Sequence, residues 1–200
     1  MKNSKKIILD LCGGTGSWSL PYKRAGYDVR NITLPEYDVR LYEPPKNVYG
    51  ILAAPPCTQF SFARTNAKKS RNLHEGMSLV LACLRIIWTC QYRIEKDTTK
   101  KSPLKFWALE NPYYGMLRWF LGEPAYVFNP YDFGHNYKKK TALWGYFNEP
   151  KKSTIKVDAP KFDHMRSKDI APEWFGKLTR TERRAITPRG FAEAFYKANK

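Results

Sequence analysis

Apolar residues fall in short runs separated by glycine-rich or polar turns, and their spacing predicts a succession of strands and helices. Ile7-Ile8-Leu9 leads into Asp10-Leu11-Cys12-Gly13-Gly14-Thr15-Gly16, the pattern of a buried strand entering a tight turn. Trp18 to Ala25 then reads as a short helix closed by Gly26, and Val29 to Leu34 as a second strand. Tyr49 to Ala54 predicts another strand, ended by Pro55-Pro56. Phe60 to Asn72 is polar and basic and predicts a mobile loop, whereas Leu79 to Tyr92, apolar nearly all round, predicts a well-buried helix. A charged, exposed connection from Lys96 to Lys105 precedes a strand at Phe106 to Leu109, which ends at Glu110-Asn111-Pro112. Val127-Phe128 and Ala142 to Phe147 predict later strands, and Lys151 to Lys177 offers no periodic element. Gly190 to Ala198 predicts a helix with Phe191, Ala192, Ala194 and Phe195 on one side.

Strands alternating with helices argue for an α/β domain with a largely parallel sheet, and 200 residues fit one domain with a sizeable core. Gly13-Gly14-Thr15, Pro55-Pro56-Cys57 and Glu110-Asn111-Pro112 all follow strands. The carboxyl edge of an open parallel sheet is where ligands bind, so the three turns are expected to converge there.

Charge sharpens this picture. Thirty-five Lys and Arg against 18 Asp and Glu leave a net +17, which folding does not require. The excess points to a polyanionic partner, most commonly nucleic acid, against the plainer alternative of a solvated face. The longest uninterrupted apolar stretch, Leu79 to Leu84, is too short to span a bilayer, and the N-terminus shows no signal-peptide core. A cytoplasmic protein without a membrane partner is expected. Cys12, Cys57, Cys83 and Cys90 show no C-x-x-C spacing, and His74, His135 and His164 stand apart from them. Neither a metal site nor a disulfide framework is expected.

Each turn carries candidate chemistry beside a structural alternative. The first lets backbone approach a ligand at a helix start, but lacks the Gly-Lys-Ser/Thr of a triphosphate loop and the full G-x-G-x-x-G. A tight turn without ligand would look the same. In the second, two prolines fix the direction of Cys57, and Arg64 with nearby lysines predicts a lowered thiol pKa and a nucleophile rather than a small buried hydrophobe. In the third, burial at the strand end predicts a raised pKa for Glu110 and a proton donor; a helix cap or a solvated loop acid is the alternative. The aromatic-rich stretch from Trp107 to Phe133 reads as core and sheet packing, with stacking partners for bases as the alternative.

Taken in order, these blocks resemble the cytosine C5 methyltransferases, the small phage-type members most of all. The likeness rests on Asp10-Leu11-Cys12-Gly13-Gly14-Thr15-Gly16, Pro55-Pro56-Cys57-Thr58-Gln59-Phe60-Ser61, Glu110-Asn111-Pro112, the basic Asn136-Tyr137-Lys138-Lys139-Lys140, and the closing Ile186-Thr187-Pro188-Arg189-Gly190-Phe191-Ala192. It implies a Rossmann-like fold and S-adenosylmethionine as methyl donor, held by Asp10, Gly13, Gly14, Thr15, Gly16, Trp18, Asp38, Ala54, Pro56 and Thr187. It implies that Cys57 adds to C6 of cytosine while Glu110 acts at N3, with Lys138 and Lys140 assisting catalysis. Gln59, Ser61, Arg64, Asn111 and Lys139 would meet the DNA, whose target base leaves the stack. The host cell would be bacterial or phage-infected.

The chain departs from the family in three places. Asn136-x-Lys138-x-Lys140 replaces a Gln-x-Arg-x-Arg block, keeping the charge but losing the guanidinium fork. Thr33 stands where an acid for the cofactor ribose is expected, with Glu36 as the nearby substitute. Only 41 residues separate Trp144 from Ile186, so residues 145–185 form at most a short remnant of the target-recognition region. Weak sequence specificity, or reliance on a partner protein, follows. An enzyme acting on cytosine in RNA or a nucleotide, and a non-catalytic DNA-binding relative, are the alternatives.

Overall fold

The computed structural model describes residues 2–64, 68–92, 102–154, 157, 161–162 and 176–200. Six strands form one mixed sheet in the order β2-β1-β3-β4-β7-β5: β1 (Ile7–Leu11), β2 (Asp28–Ile32), β3 (Val48–Ala53), β4 (Phe106–Pro112), β5 (Tyr126–Phe128) and β7 (Thr141–Tyr146). Neighbours from β2 to β4 run parallel, while β7 is antiparallel to both β4 and β5. Two short strands, β6 (Tyr137–Lys138) and β8 (Lys161–Phe162), pair separately. The helices are α1 (Leu20–Arg24), α2 (Leu73–Gln91), α3 (Leu117–Leu121), α4 (Arg180–Ala185) and α5 (Arg189–Ala198). This is the expected α/β architecture, a mostly parallel sheet flanked by helices and compatible with a Rossmann-like fold.

Strand alternation divides the core into two layers. Leu9, Leu11, Ile51, Ala53 and Leu109 pack with Val80, Cys83, Ile86 and Ile87 of α2. Ile8, Leu52, Phe106, Ala108 and Leu143 pack on the other face with Tyr22 of α1 and Phe191 and Phe195 of α5. Gly50 is forced by this packing: a Cβ there would run into the Phe106 ring.

Several boundaries differ from those the pattern predicts. β2 ends at Ile32, ahead of Pro35, rather than at Leu34. α1 begins at Leu20, where Pro21 occupies the first turn, so Trp18 precedes the helix. α2 starts at Leu73 because the Asn72 side chain accepts the Glu75 N–H at 3.0 Å, capping the helix at the end of the predicted loop. It is not buried all round: Leu81 and Trp88 are half exposed. By length and composition α2 could cross a bilayer (19 residues, mean hydropathy 1.3), although its uninterrupted apolar run is short; one face is buried against the sheet. Glu110, Asn111 and Pro112 belong to β4 itself rather than to a turn beyond it. Among the described residues of 151–177, only Lys161–Phe162 is regular. Most of the predicted 96–105 connection, His164, and much of the 145–185 remnant lie outside the described residues.

Candidate active site

Register sets the three segments level. Leu11 pairs with Ala53 and Ala53 with Leu109, so Cys12 and Ala54, just past β1 and β3, stand beside Glu110 within β4. The Ala54 N–H also donates to the Leu11 carbonyl at 2.9 Å. Beyond Ala54, Pro55 and Pro56 stop the strand, and Cys57–Gln59 form a 3₁₀ turn closed by the Phe60 and Ser61 N–H groups on the Cys57 carbonyl, each at 2.9 Å. Asn111, fully buried, donates to the Pro55 carbonyl at 2.9 Å and anchors this turn to β4.

Cys57 lies within the field of Glu110, and Lys139 acts on both. Burial pushes the Glu110 carboxyl up, as its position at the strand end predicts, and Lys139 opposes the shift. Cys57 departs from expectation: burial raises its thiol pKa, with Lys139 and Arg184 pulling it back and Glu110 reinforcing the rise. The charges close in sequence are spent elsewhere. Arg64 donates to the Gln59 side chain and to the Lys69 and Ser70 carbonyls, and Arg71 to the Gln59 and Ser61 carbonyls. Both arginines thereby brace the loop after Cys57. The lysine of the basic block that weighs on both Cys57 and Glu110 is Lys139, which the family resemblance assigns to DNA contact. Lys138 is exposed on β6, and the Lys140 ammonium lies 4.0 Å from the centre of the Tyr113 ring.

The closing segment locks this arrangement. Lys139 Nζ donates to the Arg184 carbonyl at 2.9 Å, the Gly190 N–H to His135 Nε2 at 3.1 Å, and the Thr187 N–H to Ser17 Oγ at 3.0 Å. The chain end thus ties the basic block to the glycine-rich turn. No sequence motif marks Arg184 or Ser17, and His135 reads as isolated, because their partners lie 45 to 170 residues away.

Around the first turn, Asp10 is fully buried and accepts from Ser19 Oγ, and burial raises its pKa to about 6. Its other oxygen, and Oδ1 of Asn31, are buried without a hydrogen-bond partner. A Cβ on Gly13 would fall on both groups, so only glycine passes over them. Gly14 (φ +53°) and Gly16 (φ +69°) take left-handed conformations, and space is open above Gly14. Asn31 Nδ2 holds the Gly14 carbonyl at 2.9 Å. Trp18 is core rather than surface, packed on Phe191 and Phe195 with its Nε1 unpartnered. Asp38 lies within the field of Cys12, and its carboxylate, gripped by the Arg40 guanidinium, is held down to about 2. Thr33 is half-buried just past β2, and Glu36 is exposed beyond it. Among the described residues no group of His, Cys, Asp and Glu could hold a metal ion.

No protein-family model matches the chain, and no curated protein sequence matches it.

Proposed function

We propose that the protein transfers a methyl group to C5 of cytosine in nucleic acid, with Cys57 as nucleophile and Glu110 as acid. The observation that carries this reading is the convergence of Cys57 and Glu110, from adjacent parallel strands, under one shared cation, Lys139. A carboxyl group whose hold on its proton is strengthened by burial, beside a thiol, suits addition to an electron-poor ring.

The proposed chemistry divides among this chain's residues. Cys57 gives its proton to solvent water and its thiolate sulfur adds to C6, breaking the C5–C6 π bond. Glu110 donates its proton to N3, so the ring gathers no net charge while the electron pair moves to C5. After C5 gains the methyl group, its proton passes to solvent water, N3 returns its proton to Glu110, the C5–C6 double bond re-forms and the Cys57 thiolate leaves. Lys139 stabilises that thiolate at the start and at the end. S-adenosylmethionine, when bound, supplies an electrophilic methyl group. The first turn fits it on one observation: the unpartnered Asp10 and Asn31 oxygens under a glycine floor can receive a cationic amine. Gly13, Gly14, Thr15 and Gly16 would line that floor, Asp38, Ala54 and Pro56 its flank, and Thr187 its closing side.

A nucleic acid is favoured over a mononucleotide because a field of +17 serves a polyanion, and DNA is the form that the family resemblance implies. An oligonucleotide carrying 5-fluorocytosine tests the reading, since fluorine at C5 cannot leave as a proton. A stable protein–oligonucleotide adduct at Cys57, dependent on S-adenosylmethionine, is expected. No adduct with wild-type protein would overturn it.

A further inference from the structure

Beside the Cys57 turn lies an aromatic surface that neither the core nor the proposed chemistry uses. Phe62 (43% exposed), Tyr114 (60%), Trp119 (62%) and Phe120 (50%) all face solvent. They are neighbours. The Phe62 and Trp119 rings stand 5.8 Å apart, and the Phe62 N–H donates to the Tyr114 carbonyl at 3.2 Å. Ser61 bridges to Gly115, while its N–H closes the turn on Cys57. Phe120 carries the surface onto α2, where Leu73, Met77 and Leu81 help line an apolar groove of about 290 Å³.

Cations border these rings. The Lys140 ammonium and the Arg118 guanidinium lie 4.0 and 4.9 Å from the centre of the Tyr113 ring, which packs edge-on against Tyr114. Lys68 and Lys69 are exposed on the loop that Arg64 and Arg71 brace. Exposed rings bordered by positive charge are what a single nucleic-acid strand requires, with bases on the ring faces and phosphates against the cations. A duplex keeps its bases stacked on one another and has nothing to place on these rings.

We propose that Phe62, Tyr114 and Trp119 form a stacking shelf that receives unpaired bases flanking the target cytosine, so that the protein selects single-stranded nucleic acid. The proposal rests on the assignment of the reacting centre to Cys57 and Glu110 but deepens it, naming the strandedness of the substrate and the residues that read it. Specificity then lies in base exposure, which compensates for the short 145–185 segment.

Fluorescence anisotropy without methyl donor tests it, using a cytosine-containing DNA strand of about 12 nucleotides and its duplex. Wild-type protein is expected to bind the single strand more tightly. Phe62→Ala and Trp119→Ala should each weaken that binding by about five- to a hundredfold, the size of a lost base–aromatic stack, and leave duplex binding nearly unchanged. Their salt dependence should match wild type, because the phosphate contacts remain. Phe62→Tyr keeps a ring and should keep the affinity, which separates stacking from misfolding. Equal affinity for duplex and strand, or alanine variants that bind the strand like wild type, would overturn the shelf; the latter would favour a protein partner for this face. Because no turnover is read, an intact shelf without methyl transfer would count against the proposed function alone.

Discussion

The Asn111 side chain donates to the Pro55 carbonyl at 2.9 Å across 56 residues, and this bond fixes the Cys57 turn to the strand that carries Glu110. Asn111 is fully buried, so the bond sits where water cannot replace it. Replacing it by Ala strands the Pro55 carbonyl and should cost about 1–3 kcal/mol of stability. If the bond also aligns the nucleophile, Asn111→Ala protein that remains folded should lose methyl transfer well beyond its loss of folded fraction. Urea unfolding and initial rates on the same preparation separate the two effects.

Gly13 tests the floor of the first turn. Gly13→Ala places a Cβ on the Asp10 carboxyl and the Asn31 amide, an overpacking expected to cost about 1–3 kcal/mol. Calorimetric titration with S-adenosylmethionine should show binding lost, and urea unfolding of the same variant reads how much of that loss is folding.

Asp10 makes stability depend on pH. Its pKa rises from 3.8 to about 6 on folding, so the native state holds a proton that the unfolded chain releases between about pH 4 and pH 6. Stability from this group therefore falls as pH rises through that window, by on the order of 3 kcal/mol. Asp10→Asn should remove the slope and raise stability at pH 7.5, since a neutral amide leaves no buried charge to desolvate. Glu110, also raised, keeps its own contribution in both proteins, so the difference between their denaturation curves isolates Asp10.

Lys139 holds the Cys57 thiol and the Glu110 carboxyl below where burial alone would put them. In Lys139→Ala, the pH midpoint for iodoacetamide labelling of Cys57 should move upward, and in Lys139→Arg it should stay near wild type. Peptide mass spectrometry across a pH series reads both. Glu110→Gln should leave labelling possible but reduce methyl transfer by about 10²–10⁴-fold, the scale of lost acid catalysis.

Much of this was written in local pattern. Short apolar runs ended by Gly-Gly, Pro-Pro and Glu-Asn-Pro placed β1, β3 and β4 and their shared edge, because strand length and turn chemistry are local properties. The antiparallel direction of β7 was not legible, since no residue within Thr141–Tyr146 reports which way a neighbour runs. α2 begins earlier than its hydrophobic run because an Asn cap, not apolarity, starts it. The environment of Cys57 was misjudged for a related reason. Sequence neighbours Arg64 and Arg71 face the loop backbone, while Lys139 and Arg184 arrive through the fold. Burial, which no sequence neighbour reveals, decides the sign.

Transfer of a radiolabelled methyl group from S-adenosylmethionine to cytosine-containing DNA, with wild type beside Cys57→Ala, tests the central claim most directly. Label on cytosine C5 with wild type, more on single-stranded than on duplex DNA, and none with Cys57→Ala is the predicted result. Equal label from both proteins, or none from wild type on either form of DNA, would contradict it.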